Sequence, residues 1–244
     1  MIEEIIREKK VGDPEEVKAL IKGEPLDFME AIGGEGPKII AEIKRASPTK
    51  GILREDFDPI YLASEYIKGG ASAISVITQE KFFLGRKEYI MMVKEKFKIP
   101  ILRKDFITTE YEVYESRALG SDSVLLISSI LDEKGLERLL KLSRELLMEP
   151  VVEVHDEGDV KKALSCGAKI MGINSRNLKT LEVDMDRAEK LLPLIPKEVL
   201  IIAESGIKGK GDIERFLKLG IRVFLIGEAL VRSEKPSERL KEWL

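Results

Sequence analysis

Short apolar segments recur along the chain from Lys38 onward, separated by charged stretches with a different periodicity. Eight segments read as strands: KIIAEIK from Lys38, SAISVIT from Ser72, IPILRKD from Ile99, SVLLIS from Ser123, PVVEVH from Pro150, KIMGIN from Lys169, VLIIAES from Val199 and RVFLIG from Arg222. The stretches between them, such as EKGLERLLKLSRELL, space apolar residues as an amphipathic helix does. Strands that are apolar on both faces and alternate with helices indicate a parallel sheet.

Glycines mark the passage from helix to strand in GGASAISVI, LGSDSVLLI, CGAKIMGIN and LGIRVFLIG. Gly70, Gly120, Gly167 and Gly220 each suit a helix C-cap that turns the chain into the next strand. Their separation of about 50 residues would hold two strand–helix units. An open doubly wound sheet would also alternate strands and helices, but eight units without a G-x-G-x-x-G motif favour a closed (β/α)8 TIM barrel.

The length agrees with one such barrel. The chain has 244 residues, close to the roughly 250 typical of this fold, and we find no linker or low-complexity segment. We therefore expect a single α/β domain over residues 1–244. Residues 1–37 would form an N-terminal helical extension, with one or two helices ahead of the first strand.

Composition excludes several classes of partner and site. Lys and Arg number 41 against 44 Asp and Glu, a net charge of −3, which gives no electrostatic reason to expect nucleic acid. Cys166 is the only cysteine, so neither an intrachain disulfide nor a multi-cysteine zinc site is possible. The start MIEEIIREKK lacks the apolar region of a signal peptide, and no apolar run approaches the roughly 18 residues of a membrane span. We expect a cytoplasmic protein without membrane association or bound metal.

Polar side chains stand at the ends of five predicted strands. They are Glu42 and Lys44 on the first, Lys104 on the third, Glu153 on the fifth, Asn174 and Arg176 at the sixth, and Glu204, Ser205 and Gly206 at the seventh. Charged groups in apolar strands are costly unless they are paired or functional. Each alone could equally be an ion-pair member at the barrel rim. Five strands ending this way favour a site, because (β/α)8 enzymes carry theirs at the C-terminal strand ends.

Two glycine-bearing turns, ESGIKGKGD and LIGEAL, follow the seventh and eighth strands. Loops at these positions commonly bind phosphate through backbone N–H groups. Gly206 and Gly227 would alone pass for ordinary turn residues, but together they predict a small phosphorylated substrate. Lys208 and Lys210 could attract the phosphate, although a solvated loop is the preferred interpretation of that pair.

Taken in order, KIIAEIKRASPTKG, ILRKDFI, VVEVH, GINSRNL, IIAESGI and LIGEAL resemble the indole-3-glycerol-phosphate synthase family over nearly the whole chain from Lys38. The resemblance implies a (β/α)8 barrel with an N-terminal helical extension. It implies conversion of 1-(2-carboxyphenylamino)-1-deoxyribulose 5-phosphate to indole-3-glycerol phosphate, with release of carbon dioxide and water and without cofactor or metal. Association with other enzymes of the tryptophan pathway stays open.

The resemblance also implies roles for matching residues. Lys104 would protonate the ribulose carbonyl as the aromatic ring attacks it, and burial or neighbouring cations can lower a lysine pKa for such a role. Glu153 and Lys44 would serve the later proton transfers and the dehydration, with support from Glu42. Asn174 and Arg176 would orient polar groups of the substrate.

The remaining implied contacts are with the substrate's two ends. The phosphate would be contacted by Ser47, Ser205, Gly206 and Gly227. The anthranilate ring would be enclosed by Phe83, Phe106 and Leu125. Glu204 would make a further contact with the substrate. Glu228 departs from the small residue that some relatives carry after the last glycine. An acid beside phosphate is unfavourable unless it points away, so we assign only its backbone amide.

Other interpretations remain at this point. His155, the only histidine, lies two residues after Glu153; a rim or supporting position is favoured over a catalytic one. An isomerase of phosphoribosyl substrates would share the fold, but such barrels typically use an Asp or Cys pair at strand ends. A catalytically silent scaffold barrel predicts a lost acid or base, whereas Lys44, Lys104 and Glu153 are all present.

Overall fold

The computed structural model describes residues 1–9, 12–178 and 180–244; Lys10 and Val11 of the expected extension, and Lys179, lie outside the described residues. Eight parallel strands close into a barrel, so the predicted (β/α)8 TIM barrel is confirmed. We number them β1 Lys38–Ile43, β2 Ala73–Ile77, β3 Ile101–Lys104, β4 Ser123–Ile127, β5 Val151–Val154, β6 Ile170–Asn174, β7 Leu200–Glu204 and β8 Val223–Ile226. Each strand lies within its predicted apolar segment, and β8 closes the ring on β1.

Helices surround the barrel and precede it. The described residues form α1 Ile2–Glu8, α2 Pro14–Lys18, α3 Phe28–Ile32, α4 Pro59–Gly69, α5 Glu80–Phe83, α6 Glu88–Lys96, α7 Glu110–Ala118, α8 Glu133–Glu145, α9 Glu157–Ser165, α10 Arg187–Leu191, α11 Lys210–Lys218, α12 Glu228–Val231 and α13 Pro236–Trp243. Two 3-10 turns, at Ser128–Ile130 and Leu192–Leu194, and a small hairpin of Ala46–Ser47 with Gly51–Ile52 lie in the loops.

The four predicted C-cap glycines all adopt left-handed backbone, with φ of 95°, 94°, 76° and 87° at Gly70, Gly120, Gly167 and Gly220. At Gly70 the N–H donates to the Ile67 carbonyl at 3.0 Å, and the next N–H, of Ala71, reaches back to Tyr66 at 2.9 Å. A residue with a Cβ adopts this conformation at a cost, so glycine ends the helix and aims the chain into the strand.

The extension contains three short helices where we expected one or two. Asp13 and Asp27 cap α2 and α3 by accepting hydrogen bonds from Glu15 and Glu30 backbone N–H groups, so each begins a new helix. Gly23, with a φ of 60°, lies in the connection between these two helices. The sequence interpretation overlooked these local start signals.

The interior of the barrel is filled by apolar side chains, which leaves the polar groups at one end. Ile40, Leu102, Val151, Ile202 and Leu225 are all buried in one cluster inside the ring. Phe28 and Ile32 of α3 belong to the same cluster, and α3 packs on β1 and β2 just before the chain enters β1. The open end is therefore the C-terminal one.

Candidate active site

A cavity of about 580 Å³ lies at the C-terminal ends of the strands. All the residues proposed from the sequence line it: Glu42, Lys44, Ser47, Phe83, Lys104, Phe106, Leu125, Glu153, Asn174, Arg176, Glu204, Ser205, Gly206 and Gly227. Their sequence positions are far apart, so the parallel barrel is what gathers them.

Lys104, at the end of β3, lies between two buried carboxylates from other strands. Its Nζ is 3.0 Å from Glu153 Oε2 on β5 and 2.9 Å from Glu204 Oε2 on β7. Both glutamates are only 1% exposed, so the ammonium is the group that makes two carboxylates tolerable in one buried place. The three form the Glu153–Lys104–Glu204 cluster.

The electrostatics of this cluster differ from one sequence expectation. Burial alone would lower the pKa of Lys104, but the carboxylates of Glu153, Glu204 and Glu42 outweigh burial and raise it above its ordinary value. The expectation of a lowered lysine pKa is therefore wrong for the site as it stands, because anions surround the ammonium. Lys104 carries its proton throughout the neutral range.

The two glutamates of the cluster titrate in opposite directions. Burial acts against ionisation of Glu153, but Lys104 and His155 hold its pKa well below the ordinary range. Burial, reinforced by repulsion from Glu153 and Glu42, raises the pKa of Glu204 to about 7, against the opposing pull of Lys104. In the resting site one carboxylate is thus ionised at neutral pH, and the other can gain or lose a proton there.

A second buried ion pair lies at the end of β1. Lys44 Nζ is 2.5 Å from Glu42 Oε1, and Glu42 is 2% exposed. Gly227, at the end of β8, leaves the space for this carboxylate, since a Cβ there would clash with Glu42 Oε1 and stand 3.0 Å from Lys44 Nζ. A glycine first singled out for phosphate binding therefore also accommodates the neighbouring pair.

Asn174 and Arg176 hold a loop at the cavity wall. Asn174 Oδ1 accepts a hydrogen bond from the Arg176 backbone N–H at 3.0 Å. The Arg176 guanidinium donates to the Leu181 carbonyl at 2.8 Å. Arg176 also pairs with Val183 in an isolated β-bridge. The loop that carries Leu181 and Val183 is thus tied to the end of β6.

The first glycine turn lies next to this loop, since a Cβ at Gly206 would clash with Met185 and Val183. Ser205 and Gly206 both have left-handed backbone, with φ of 66° and 84°. Gly227 caps the short α12, so the first N–H groups of that turn lack helical acceptors. Ser47 Oγ is buried without a hydrogen-bond partner in the described part of the chain. Glu228, the residue in doubt, has its carboxylate 3.7 Å from Arg232 Nε, which offsets its charge.

The apolar part of the wall comes from β3, β4 and the loop after β2. Phe106 is 7% exposed and Leu125 2% exposed, and Phe83 at the end of α5 is half-buried. A flat apolar group would be shielded from water here, beside the Glu153–Lys104–Glu204 cluster.

Comparison with known proteins identifies the family. The family model described as indole-3-glycerol phosphate synthase matches residues 2–243. An indole-3-glycerol phosphate synthase of Acetivibrio thermocellus is 40% identical over 256 residues, covering 100% of this chain and 98% of that protein. One from Campylobacter jejuni is 48% identical over 207 residues, covering 85% and 80%. The chain belongs to the indole-3-glycerol phosphate synthase family. It is a carbon–carbon lyase of tryptophan biosynthesis that acts on a small phosphorylated substrate.

Solved structures with much lower identity share the fold of this synthase family. A 3-hexulose-6-phosphate synthase from Salmonella typhimurium superposes with a TM-score of 0.70 at 16% identity, covering 84% of this chain and 96% of that one. KGPDC from Streptococcus mutans gives a TM-score of 0.64 at 12% identity, covering 86% and 96%. In the ranges described, no helix has the length and apolar character needed to cross a membrane. Nor do those ranges gather a group of metal-ligating side chains.

The cavity of this synthase includes residues that the sequence reasoning missed or set aside. Lys50 and Arg232 line it, and so does Lys208, which the sequence interpretation left in solvent and which is exposed at the cavity wall. Met1 lines it as well. The i, i+4 spacing of Glu228 and Arg232 could have indicated the arginine. Nothing in the sequence indicates Met1, since its position depends on where α1 folds.

His155 lies behind the cavity wall of the synthase. Its Nε2 is 3.2 Å from Glu153 Oε1 and its Nδ1 is 3.5 Å from Asp159 Oδ2. It is not among the lining residues.

Gly172→Ala should displace the Glu204 carboxylate from the cluster. A Cβ at Gly172, on the neighbouring β6, would clash with Glu204 Oε1 and stand 3.3 Å from Val151 Cγ1. Overpacking of this kind costs about 1–3 kcal/mol, so we expect a lower melting temperature and, in a crystal structure, a rotated Glu204. Gly211→Ala on α11 is the matched control, because a Cβ there meets nothing within 4 Å. Unchanged stability with Glu204 in place would contradict the idea.

Proposed function

We propose that this chain converts 1-(2-carboxyphenylamino)-1-deoxyribulose 5-phosphate to indole-3-glycerol phosphate by acid–base catalysis. The observation that carries the proposal is the Lys104 ammonium held at 3.0 and 2.9 Å between the buried carboxylates of Glu153 and Glu204. This arrangement places a proton donor and two proton acceptors around one point of the cavity, beside an apolar part of its wall. The reaction needs both kinds of group and a place for an aromatic ring.

The first half of the reaction needs an acid. The ring carbon that bears the carboxylate attacks the ketone carbon, and the ketone oxygen takes up a proton as the new bond forms. Lys104 is assigned to this step because its ammonium lines the cavity between Glu153 and Glu204 and carries the proton that the ketone oxygen takes up. Loss of carbon dioxide then returns the bonding electrons to the ring.

The second half is a dehydration. The new hydroxyl leaves as water, which requires a proton, and a second proton must be removed to complete the indole. Lys44, paired with Glu42, is assigned to the first of these transfers and Glu153 to the second. Glu204 is assigned to substrate contact, beside Asn174 and Arg176.

The two ends of the substrate would contact two different parts of the cavity wall. The anthranilate ring would lie against Phe83, Phe106 and Leu125, which line the cavity. The phosphate would lie at the turns of Ser205, Gly206 and Gly227, near the hydroxyl of Ser47. The cations of Lys50, Lys208 and Arg232 on the same cavity favour an anion there.

The same proposal treats residues 1–244 as one domain with residues 1–37 as a helical extension. It places the chain in the cytoplasm, working without cofactor, metal, nucleic acid or membrane. It allows association with other enzymes of the tryptophan pathway.

A direct assay tests the proposal. The purified protein is mixed with the carboxyphenylamino-deoxyribulose phosphate in the presence of a chelator, and indole fluorescence is followed. We expect turnover that a divalent ion does not increase. Fluorescence that appears only after a divalent ion is added would contradict the metal-free mechanism. A protein that binds the substrate but never turns it over would support the silent-barrel alternative instead.

Inorganic phosphate or sulfate should compete with the substrate. The two left-handed residues after β7 and the start of α12 after β8 line the same cavity, and backbone N–H groups at glycine turns and helix starts bind anions. We expect KM to rise with phosphate concentration while kcat stays constant. Crystals soaked in sulfate should show the ion between Gly206 and Gly227. Sulfate bound elsewhere and never there would show that this part of the wall does not hold the phosphate.

A further inference from the structure

The carboxylate of Glu153 contacts two cations, one at each oxygen. Oε2 lies 3.0 Å from Lys104 Nζ, and Oε1 lies 3.2 Å from Nε2 of His155. Lys104 lines the cavity, whereas His155 does not. The imidazole therefore meets Glu153 on the side away from the substrate space, at the end of β5, with a side chain only 11% exposed.

The other nitrogen of the same ring faces a second buried carboxylate. His155 Nδ1 lies 3.5 Å from Asp159 Oδ2, which also accepts a hydrogen bond from the His155 backbone N–H at 3.0 Å. Asp159 is fixed in turn, because its own N–H donates to Asp156, the N-cap of α9, at 2.9 Å. The ring is held between Glu153 and a carboxylate anchored in the first turn of a helix.

The charge balance around the ring favours an imidazolium. Burial alone would lower the pKa of His155, but Asp159 and Glu153 outweigh burial and raise it to about 9. Both ring contacts are close charge–charge contacts rather than aligned hydrogen bonds, so their effect is mainly electrostatic.

Other groups around the ring do not replace these two carboxylates. On the 3-10 turn after β4, Ser128 donates its hydroxyl to the Asp159 carbonyl, and Lys162 of α9 donates to the carbonyls of Ser128 and Leu131. In the ranges that the structure describes, Glu153 and Asp159 are the charged groups within ion-pair distance of His155.

We propose that His155 is a positioning residue for Glu153: an imidazolium behind the carboxylate that keeps it ionised and turned towards Lys104. The inference rests on the proposed function in that Glu153 serves a proton transfer there. A group whose pKa is lowered in the folded protein is ionised above that pKa. Removing the His155 charge should raise the pKa of Glu153, so a larger share of the base is protonated at a given pH. The acid limb that Glu153 sets in the kcat profile, which lies below any limb set by Glu204 with its pKa of about 7, should then move to higher pH.

The first test measures the titration of His155 itself. The chain has one histidine, so protein labelled with ¹³C-histidine gives a single imidazole titration by NMR. We expect a midpoint well above the ordinary value of about 6.5, and a lower midpoint in Glu153→Gln. A wild-type midpoint near the ordinary value, or one that Glu153→Gln leaves unchanged, would overturn the proposal. This arm needs no substrate and no folded His155 variant.

The second test measures catalysis by Glu153 in the variant His155→Gln. Glutamine keeps a hydrogen-bond donor of similar reach but carries no charge. We expect kcat to fall about 10-fold, the lower end of the effect of groups that orient a catalytic ligand, with KM unchanged and the acid limb moved upward. Lys161→Gln, which removes an exposed cation from α9, should leave both unchanged. A His155→Gln enzyme with the wild-type kcat and pH profile would sink the proposal. If the wild-type protein itself shows no turnover, the proposed function fails, and the NMR titration still decides the coupling.

Discussion

Lys104→Met should lower kcat by about 10²–10⁴-fold, the usual contribution of a general acid, with KM for the substrate nearly retained. Methionine keeps length and apolar bulk but carries no proton. The structure adds a second consequence, because Glu153 and Glu204 would share the space without the ammonium that lies 3.0 and 2.9 Å from them. Glu204, whose pKa is already about 7, should then hold a proton to higher pH.

Steady-state kinetics over a range of pH, together with a melting curve of the same variant, separate the loss of the proton donor from the change in the pKa of Glu204. The matched control is Lys94→Met, since Lys94 Nζ also pairs with a buried carboxylate, Asp122 Oδ2 at 2.8 Å, but lies outside the cavity. That variant should lose stability and keep kcat. A Lys104→Met enzyme with nearly normal kcat would remove Lys104 from the acid role and make Lys44 the leading candidate.

Glu153→Gln should lower kcat by a similar factor, about 10²–10⁴-fold, while the melting temperature changes little. The amide is nearly isosteric but exchanges no proton at neutral pH. Both cations beside it keep a second anion, because Lys104 also contacts Glu204 and His155 also contacts Asp159. The variant therefore leaves no buried charge without a partner, which is the usual reason that breaking a buried ion pair is strongly destabilising.

The measurement is kcat and thermal midpoint on the same preparation. Glu149→Gln serves as the control, because Glu149 forms ion pairs with Arg144 at 2.7 Å and Lys169 at 3.7 Å outside the cavity. It should affect stability alone. A large fall in the midpoint of Glu153→Gln with kcat intact would mean that Glu153 only supports the barrel.

The strands and the polar residues at their ends could be predicted from periodicity and strand order, whereas Ser47, Phe83, Phe106 and Leu125 were implied only by the resemblance to the family. A carboxylate such as that of Glu153 among valines must face a polar site or an ion-pair partner, and a (β/α)8 barrel has its polar site where the C-terminal strand ends meet. The direction of the Lys104 pKa could not be predicted, since it depends on which side chains of other strands lie within 3 Å. Met1 on the cavity wall depends in the same way on tertiary packing.

The predicted number of helices in the N-terminal extension was wrong for a different reason. The segment has little periodic pattern, and its helices are set by single capping residues, Asp13 and Asp27. Such single-residue signals have no periodicity, unlike the apolar repeats that define the barrel. The Asp-to-N–H bonds are local, so a closer reading of the sequence could have found them.

The ring closes where the first and last strands meet, with Lys38 opposite Val223 and Gly227 beside the Glu42 carboxylate. These contacts join positions near opposite ends of the sequence, which makes them among the costliest in chain entropy and the slowest to form during folding. A chain that has formed its helices and most of its sheet but has not joined these edges lacks one wall of the cavity. We therefore expect catalytic competence to appear only at the last stage of folding, with a partly folded chain inactive on the substrate.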